Sequence, residues 1–415
     1  MFDKLKNSSA SRINLISNFF YIGVMKFLNI GSKYVLVGYL IRILGENGYG
    51  LLTWVDSIVQ YFILFINFGF DLYAAKYVVE NRSKTEKLNE VISSIYYIKA
   101  ALFSISFLLL IPLSFNTEIN VYIDLIFLML LMGIGEVLTP IWFFQGIEKM
   151  RVITVITFFT KLLLILLTFL YIKGSADISL YILFLVFTNC IWGIWGFWMM
   201  KKEARFRFVR VDMKLLKENL REGYLFFVGK ISTFIFNFGT LFLIGYLFSK
   251  GQLAGFDIAI KIVFVFIIPY EVLQQALFPA VVRGLETKQL QRITISTLIV
   301  SVLSSLLLYL FSTQALAIFG GITMLKYGFV LDLILILIPI VSLTIVVGNC
   351  FLVAKGHYKE YNWSLIISAI LFVLLLTILN LTDNLNFINV IIVRILADFI
   401  QLIIRLYFNF KYRII

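Results

Sequence analysis

Lys26, Lys33, Lys99, Lys161, Lys230, Lys261, Arg394 and Arg405 stand inside stretches that are otherwise almost wholly apolar. A lysine or arginine at the centre of a bilayer costs roughly 2.5 to 3.5 kcal/mol, so these charges belong against water, protein or an anionic cargo. Lys26 and Lys33 lie two helical turns apart and share one face, which makes them the leading candidates for a cationic cavity wall. Lys230 recurs with Asn237 on one face, with Thr233 beside them, and Lys261 follows Asp257 by one turn. The second apolar stretch carries a polar stripe of Thr53, Asp56, Gln60 and Asn67. Its carboxylate could pair with a lysine of the first stretch or carry a proton. Asp257 and Lys261 have the spacing of an ion pair that neutralises both, and Arg394 with Asp398 and Gln401 is expected to pair internally. Glu136 and Glu271 lie close to Pro140 and Pro269, where a broken helix frees backbone groups; either could cap that backbone or titrate during transport. Arg405 is expected to snorkel to the interface, and Lys99 and Lys161 either snorkel or face inward.

The elements that hold these groups must cross a membrane. Of 415 residues, 61% are hydrophobic and only 14% charged, which is not the composition of a water-soluble domain. Apolar stretches fall near 14–41, 49–70, 91–114, 121–144, 152–172, 178–200, 223–248, 253–280, 293–313, 329–353, 362–381 and 386–408. Each matches the roughly 20 residues that a spanning helix needs. Lys4, Lys6 and Arg12 precede the first of them as in a secretory signal. Lys26 and Lys33 interrupt it, however, and no small-residue cleavage site follows, so it reads as a first span.

Alternate connections then collect the cations. One side holds groups such as Arg82, Lys84 and Lys87, the run from Lys201 to Arg221, and Lys355 and Lys359, while the other holds only Arg42, Lys173, Lys250 and Lys326. By the positive-inside rule this gives twelve spans with both termini in the cytoplasm. The basic connection 201–222 divides the chain into an N-lobe, 1–200, and a C-lobe, 223–415. Gly38-Tyr39-Leu40 with Gly48-Tyr49 recurs as Gly245-Tyr246-Leu247 with Gly255-Phe256, a weak parallel repeat of the kind found in alternating-access transporters. If a pseudo-twofold axis relates the lobes, spans one, two, seven and eight are matching pairs whose polar faces meet.

Other classes of function lack their residues. Cys190 and Cys350 both sit in apolar runs and His357 is the sole histidine, so no disulfide framework, redox motif or metal site is expected. P-loop, GxSxG and HExxH patterns are absent, and nothing points to nucleic acid. Tyr49, Trp54 and Trp142 read as interfacial anchors, and segments 71–90 and 212–222 as surface helices against lipid headgroups.

Leu44-Gly45 with Gly48-Tyr49-Gly50, then Asn67-Phe68-Gly69-Phe70, and above all Thr139-Pro140-Ile141-Trp142-Phe143-Phe144-Gln145-Gly146-Ile147-Glu148-Lys149-Met150 resemble the bacterial polysaccharide, or O-antigen, flippase family of the multidrug/oligosaccharidyl-lipid/polysaccharide exporter superfamily. The resemblance implies an all-α polytopic membrane protein, MATE-like and V-shaped, with twelve transmembrane helices in two pseudo-symmetric six-helix lobes. It further implies a flippase of the bacterial cytoplasmic membrane that moves an undecaprenyl-diphosphate-linked oligosaccharide to the outer leaflet. Alternating access would be driven by a proton or Na⁺ gradient, with no organic cofactor. The implied cationic cavity falls to Lys26, Lys33, Lys230 and Lys261, lined by Thr53, Gln60, Thr233 and Asn237, with Asp56, Asp257, Glu136 and Glu271 as ion-coupling candidates. Membrane lipids, a polysaccharide polymerase and glycosyltransferases are the implied partners. The alternatives are a multidrug/cation antiporter of the same superfamily and a membrane glycan polymerase or transferase.

Overall fold

The computed structural model describes residues 2–82 and 84–415, with side chains from Phe20 onward except Ile22, Leu72, Ser83 and Leu225. Lys4, Lys6 and Arg12, expected to mark a cytoplasmic start, lie outside the described side chains. Among the described residues every regular element is helical. Among the described residues ten helices are long and apolar enough to cross a membrane, or eleven with the pair Ile322–Ile334 and Leu337–Leu352, which is bent by 49°. The first of them, Gly23–Asn67, is 45 residues long, about twice what a hydrocarbon core of ~30 Å needs at 1.5 Å per residue. It breaks where Leu44-Gly45 suggests, because Gly45 takes φ 72° and ψ 172°, a conformation open only to glycine without strain.

The chain divides into two compact units. One comprises the residues up to Tyr39 and Val55–Ile231, the other Leu40–Trp54 and Ser232–Ile415. Segment 201–222 is packed on the first unit: Phe206 is buried in its core, Val209 N–H donates to Ser93, and Met213 opens the helix Met213–Phe234.

In the first unit a core of Val91, Ile92, Ile95, Trp142, Phe143, Phe144 and Ile153 holds the helices together. Trp142 is thus a core residue rather than an interfacial anchor, and in the second unit Tyr49 and Trp54 are equally buried. The stretch after Ile123 is broken into Ile123–Leu130, Met132–Leu138 and Ile141–Gly146. Pro140 has no N–H to continue the ladder and holds Thr139 extended, at ψ 120°. The Thr139 hydroxyl turns back to donate to the Gly135 carbonyl at 2.8 Å. Gly135 and Gly193 let Met132–Leu138 and Ile178–Ala204 touch backbone to backbone, since a Cβ on either would collide with the facing main chain. Small residues at a crossing permit this approach in membrane proteins.

In the second unit, Ser249 and Gln252 form a capping box that starts the helix Lys250–Val282. Two segments are π-helical, Ile235–Gly239 and Ile345–Leu352. Such wide turns misalign carbonyls, and the last helix, Phe387–Lys411, answers them with a buried polar face of Arg394, Asp398, Gln401, Arg405 and Asn409. Arg405 therefore does not snorkel. It is 2% exposed, donating to the Thr344 carbonyl at 2.8 Å and Ser364 Oγ at 3.0 Å, while Asn409 donates to the Val347 carbonyl.

Candidate functional site

The first unit holds a partly open cavity of about 160 Å³ whose polar lining is Asn29, Glu136, Thr160, Lys161, Thr188 and Asn189, with Trp192 and aliphatic side chains completing the wall. The break at Pro140 ends the Met132–Leu138 helix just beyond Glu136, and the Gly135 and Gly193 contact brings Asn189 against it. Glu136 accepts from Asn67 Nδ2 at 3.1 Å and, more weakly, from Asn189 Nδ2 at 3.4 Å. Asn189 Oδ1 is buried and finds no donor among the described residues. Lys99, 2% exposed, donates to the Glu136 main-chain carbonyl at 2.5 Å, so a lysine, rather than the glutamate side chain, satisfies backbone freed near the break.

Lys161 comes from the middle of Met150–Tyr171 and lines the cavity without a hydrogen bond or ion pair among the described residues. Glu136 lines the same cavity. A positive and a negative group thus share one polar hollow without touching. The hollow is suited to water, to a small ion, or to an anion that takes the lysine.

The other predicted site residues are placed as follows. Lys26 and Lys33 are exposed on the first helix. Lys230 pairs with Asp71 at 2.8 Å. Lys261 is held by Asp257 and donates to the Tyr49 hydroxyl, which itself donates to Asp257 at 2.5 Å; the spacing of an internal ion pair is realised there. Asp56 accepts from Gln60 Nε2 at 2.8 Å. Thr53 is buried, whereas Thr233 and Asn237 are exposed, Asn237 accepting from Arg394 at 3.2 Å. Arg394 also pairs with Asp398 at 2.9 Å, as expected from their spacing. Glu271 is half-buried and makes no hydrogen bond or ion pair among the described residues.

Residues 15–285 match the model of a family described as polysaccharide biosynthesis protein. The chain belongs to this family. The Thr139–Met150 motif that carries the resemblance to polysaccharide flippases falls inside the matched region. A relative in Escherichia coli (strain K12), named "Putative O-antigen transporter", is 23% identical over 89% of this chain and 90% of its own length. Several solved structures share the fold. An inward-facing multidrug resistance MATE family transporter of the MOP superfamily superposes with a TM-score of 0.73 at 12% identity, covering 96% of this chain and 98% of that one. The lipid II flippase MurJ, in an inward closed conformation, gives 0.69 at 15%, covering 94% and 87%.

The sequence pattern alone undervalues Lys161 and passes over Asn29 and Asn189, which the fold brings to the cavity. Lys161 lies far from either end of its helix, too deep for an easy snorkel, and Asn189 lies one helical turn before Gly193 in an apolar run. Those two signals were readable.

Proposed function

We propose that this multi-pass membrane protein translocates an undecaprenyl-diphosphate-linked oligosaccharide, the repeat unit of an O-antigen, capsule or exopolysaccharide, from the cytoplasmic to the outer leaflet. The protein is a transporter and not an enzyme. The observation that carries the cargo assignment is the cavity of the first unit, into which Lys161 brings an amine with no hydrogen bond or ion pair among the described residues, in a chain that belongs to a polysaccharide biosynthesis family. A diphosphate with attached sugars cannot cross hydrocarbon unaided, whereas its prenyl tail need never leave it. Cations offset the diphosphate charge, and asparagine, threonine and tryptophan groups suit sugar hydroxyls and rings.

The name of the Escherichia coli relative and the lipid flippase among the fold neighbours support the same reading. We read Gly23–Asn67 as two spans about Gly45, giving twelve in all, with both termini cytoplasmic as the basic connections demand. Alternating access is coupled to a proton or Na⁺ gradient. Glu136 is the favoured coupling carboxylate because it faces a polar cavity, whereas Asp257 is closed by Lys261 and Tyr49. Glycosyltransferases make the cargo and a polymerase consumes it.

The test is leaflet exchange of a lipid-linked oligosaccharide by the purified protein in liposomes. Protein-dependent exchange that responds to an imposed proton or sodium gradient is expected. Export of an organic cation with no exchange, or formation of a new glycosidic bond, would overturn the assignment.

A further inference from the structure

We propose that the non-helical connection 205–212, pinned along the first unit, is a binding site for the headgroups of anionic phospholipids in the adjoining leaflet. The inference stands apart from the cargo assignment, because it concerns the bilayer's own lipids and residues that do not line the polar cavity.

Three observations carry it. First, the connection between Ile178–Ala204 and Met213–Phe234 is fixed, although it has no regular structure of its own. Phe206 is 2% exposed in the core of the unit. The Val209 N–H donates to Ser93 Oγ at 3.1 Å, and the Val209 carbonyl accepts from the Tyr97 hydroxyl at 3.2 Å. Further on, the wholly buried Asn219 donates to Ser94 Oγ at 2.7 Å and accepts from the Tyr73 hydroxyl at 2.5 Å. Ser93, Ser94 and Tyr97 belong to one helix, Thr85–Ser114, so a single element of the core holds the chain at both points. Second, the cations it carries are unspent. Lys201, Lys202, Arg205, Arg207 and Arg210 are exposed, and none of them makes an ion pair or a side-chain hydrogen bond among the described residues. Glu203, the sole acid between 201 and 211, is taken by Lys149. Third, apolar rings lie beside these charges. Phe208 is 54% exposed yet stacks on Tyr97 and Phe197 at centroid distances of 5.9 and 6.1 Å. Tyr97 and Trp198 are exposed too, and the Lys202 amine sits 5.9 Å from the centre of the Trp198 ring.

Exposed rings among cations suit a ligand that is anionic at one end and apolar at the other, as a phospholipid is at the level of an aromatic belt. The charge is spread along the segment rather than gathered at one point, which fits several singly charged headgroups better than one compact diphosphate. Lys214, Lys217 and Arg221 continue it on one face of the next helix, whose other face packs Leu215, Leu216 and Leu220 on the core. Asp212, Glu218 and Glu222 offset part of the charge there, so the strongest attraction belongs to Lys201–Arg210. Each cation close to an anionic leaflet favours binding by about fivefold. What the fold adds is position. Like charges held side by side repel one another, and a counter-charge among them relieves that repulsion. The arginines need not be gathered from a mobile loop, so less ordering entropy is lost on binding, and each planar fork can take two phosphate oxygens. Charge patterning alone marks only 212–222 as a surface helix; the pinned arginines and the ring shelf of Phe208, Tyr97 and Phe197 come from the fold.

The test uses the full-length protein in phosphatidylcholine vesicles into which brominated phosphatidylglycerol, or brominated phosphatidylcholine as the neutral control, is introduced in steps. Bromine quenches tryptophan at short range, and the part of the fluorescence that Trp198→Phe removes reports the lipid beside this segment. Phosphatidylglycerol is expected to be preferred over phosphatidylcholine by at least about fivefold, with the preference shrinking toward unity at about 1 M salt. Arg205→Gln/Arg207→Gln/Arg210→Gln should bring it below about twofold. Removing as many exposed cations elsewhere, Arg283→Gln/Lys288→Gln/Arg292→Gln, should leave it unchanged. Ser93→Ala/Tyr97→Phe releases Val209 while keeping every charge and ring, and should lower the preference by at least about twofold. An equal fall in both triple variants is a response to net charge alone and overturns the proposal. No preference in the wild type, or one that survives the arginine triple variant or the Ser93/Tyr97 double variant, overturns it as well. So does displacement of the brominated lipid by inorganic pyrophosphate at constant ionic strength, which would make the occupant a free diphosphate. If the arginine triple variant fails to fold, Arg205→Gln, Arg207→Gln and Arg210→Gln singly, each expected to lower the preference by about half, decide in its place.

Discussion

Lys161 and Arg405 each place one positive charge deep in an apolar helix, at the same nominal cost, yet their surroundings differ in kind. Arg405, in the second unit, is closed on the Thr344 carbonyl and Ser364 and lies over the Tyr361 ring. Arg394 is held between Asp398 and Asn237, and Lys261 between Asp257 and Tyr49. In the first unit, Lys99 is closed in the same manner on a carbonyl, but Lys161 and the Glu136 side chain stay apart in a cavity. A cation whose donors are spent on main-chain carbonyls stabilises the fold around it. A cation left unspent beside a carboxylate is available to a ligand. Charge inside a span is thus a poor guide to function until its partners are known.

The largest test sets these two residues against each other. Arg405→Leu leaves the Thr344 carbonyl at the edge of the π segment without its donor and should destabilise the protein by on the order of 3 kcal/mol, seen as a lower melting temperature and loss of the monodisperse species in detergent. Lys161→Met should melt at or above the wild-type temperature, since it removes an unpaired charge from an apolar helix, while leaflet exchange falls at least about tenfold. The contrast breaks if Lys161→Met unfolds the protein or if Arg405→Leu leaves its melting unchanged.

A smaller effect is expected at the helix crossing that positions the site. Gly193→Val puts an isopropyl group, whose Cβ alone would lie 2.4 Å from the Gly135 carbonyl oxygen, against the Gly135 main chain, costing about 1 to 3 kcal/mol by overpacking and moving Asn189 away from Glu136. Exchange should fall more steeply than stability. If melting and exchange fell in proportion, Gly193 would serve packing alone.

Much of this organisation is readable in the chain. Apolar run lengths mark the spans, Gly45 marks the break in the first long helix, and Pro140 marks the break beyond Glu136, because each rests on a local rule of hydropathy or backbone sterics. The i,i+4 pairs Asp257 with Lys261 and Arg394 with Asp398 are equally local. What escapes is non-local. Asp71 and Lys230 are far apart in sequence and meet only in the fold, and the partners of Glu136 come from helices on either side of it in the chain. The π segments have no residue code, so Ile345–Leu352 reads as plain helix, and without them Arg405 near a span end looks like a snorkelling side chain. Tyr49, Trp54 and Trp142 look like anchors for a similar reason: hydropathy cannot tell an aromatic ring at an interface from one in a core.

The smallest expected effect concerns Lys230, which the sequence places among the cargo ligands and the fold places on Asp71 at 2.8 Å. Both side chains remain about a third or more exposed, so the pair is worth no more than about 1 kcal/mol to stability, and Lys230→Met and Asp71→Asn should each shift melting only slightly. Their effects on anion binding need not be equal. If the lysine serves only its aspartate, both variants leave pyrophosphate binding at the wild-type level, and the functional cation of the first unit is Lys161. If Lys230 also meets the cargo, Asp71→Asn releases it and tightens binding while Lys230→Met weakens it. We expect equality, because a lysine already satisfied by a carboxylate must give up that partner to take another, whereas Lys161 makes no hydrogen bond or ion pair among the described residues.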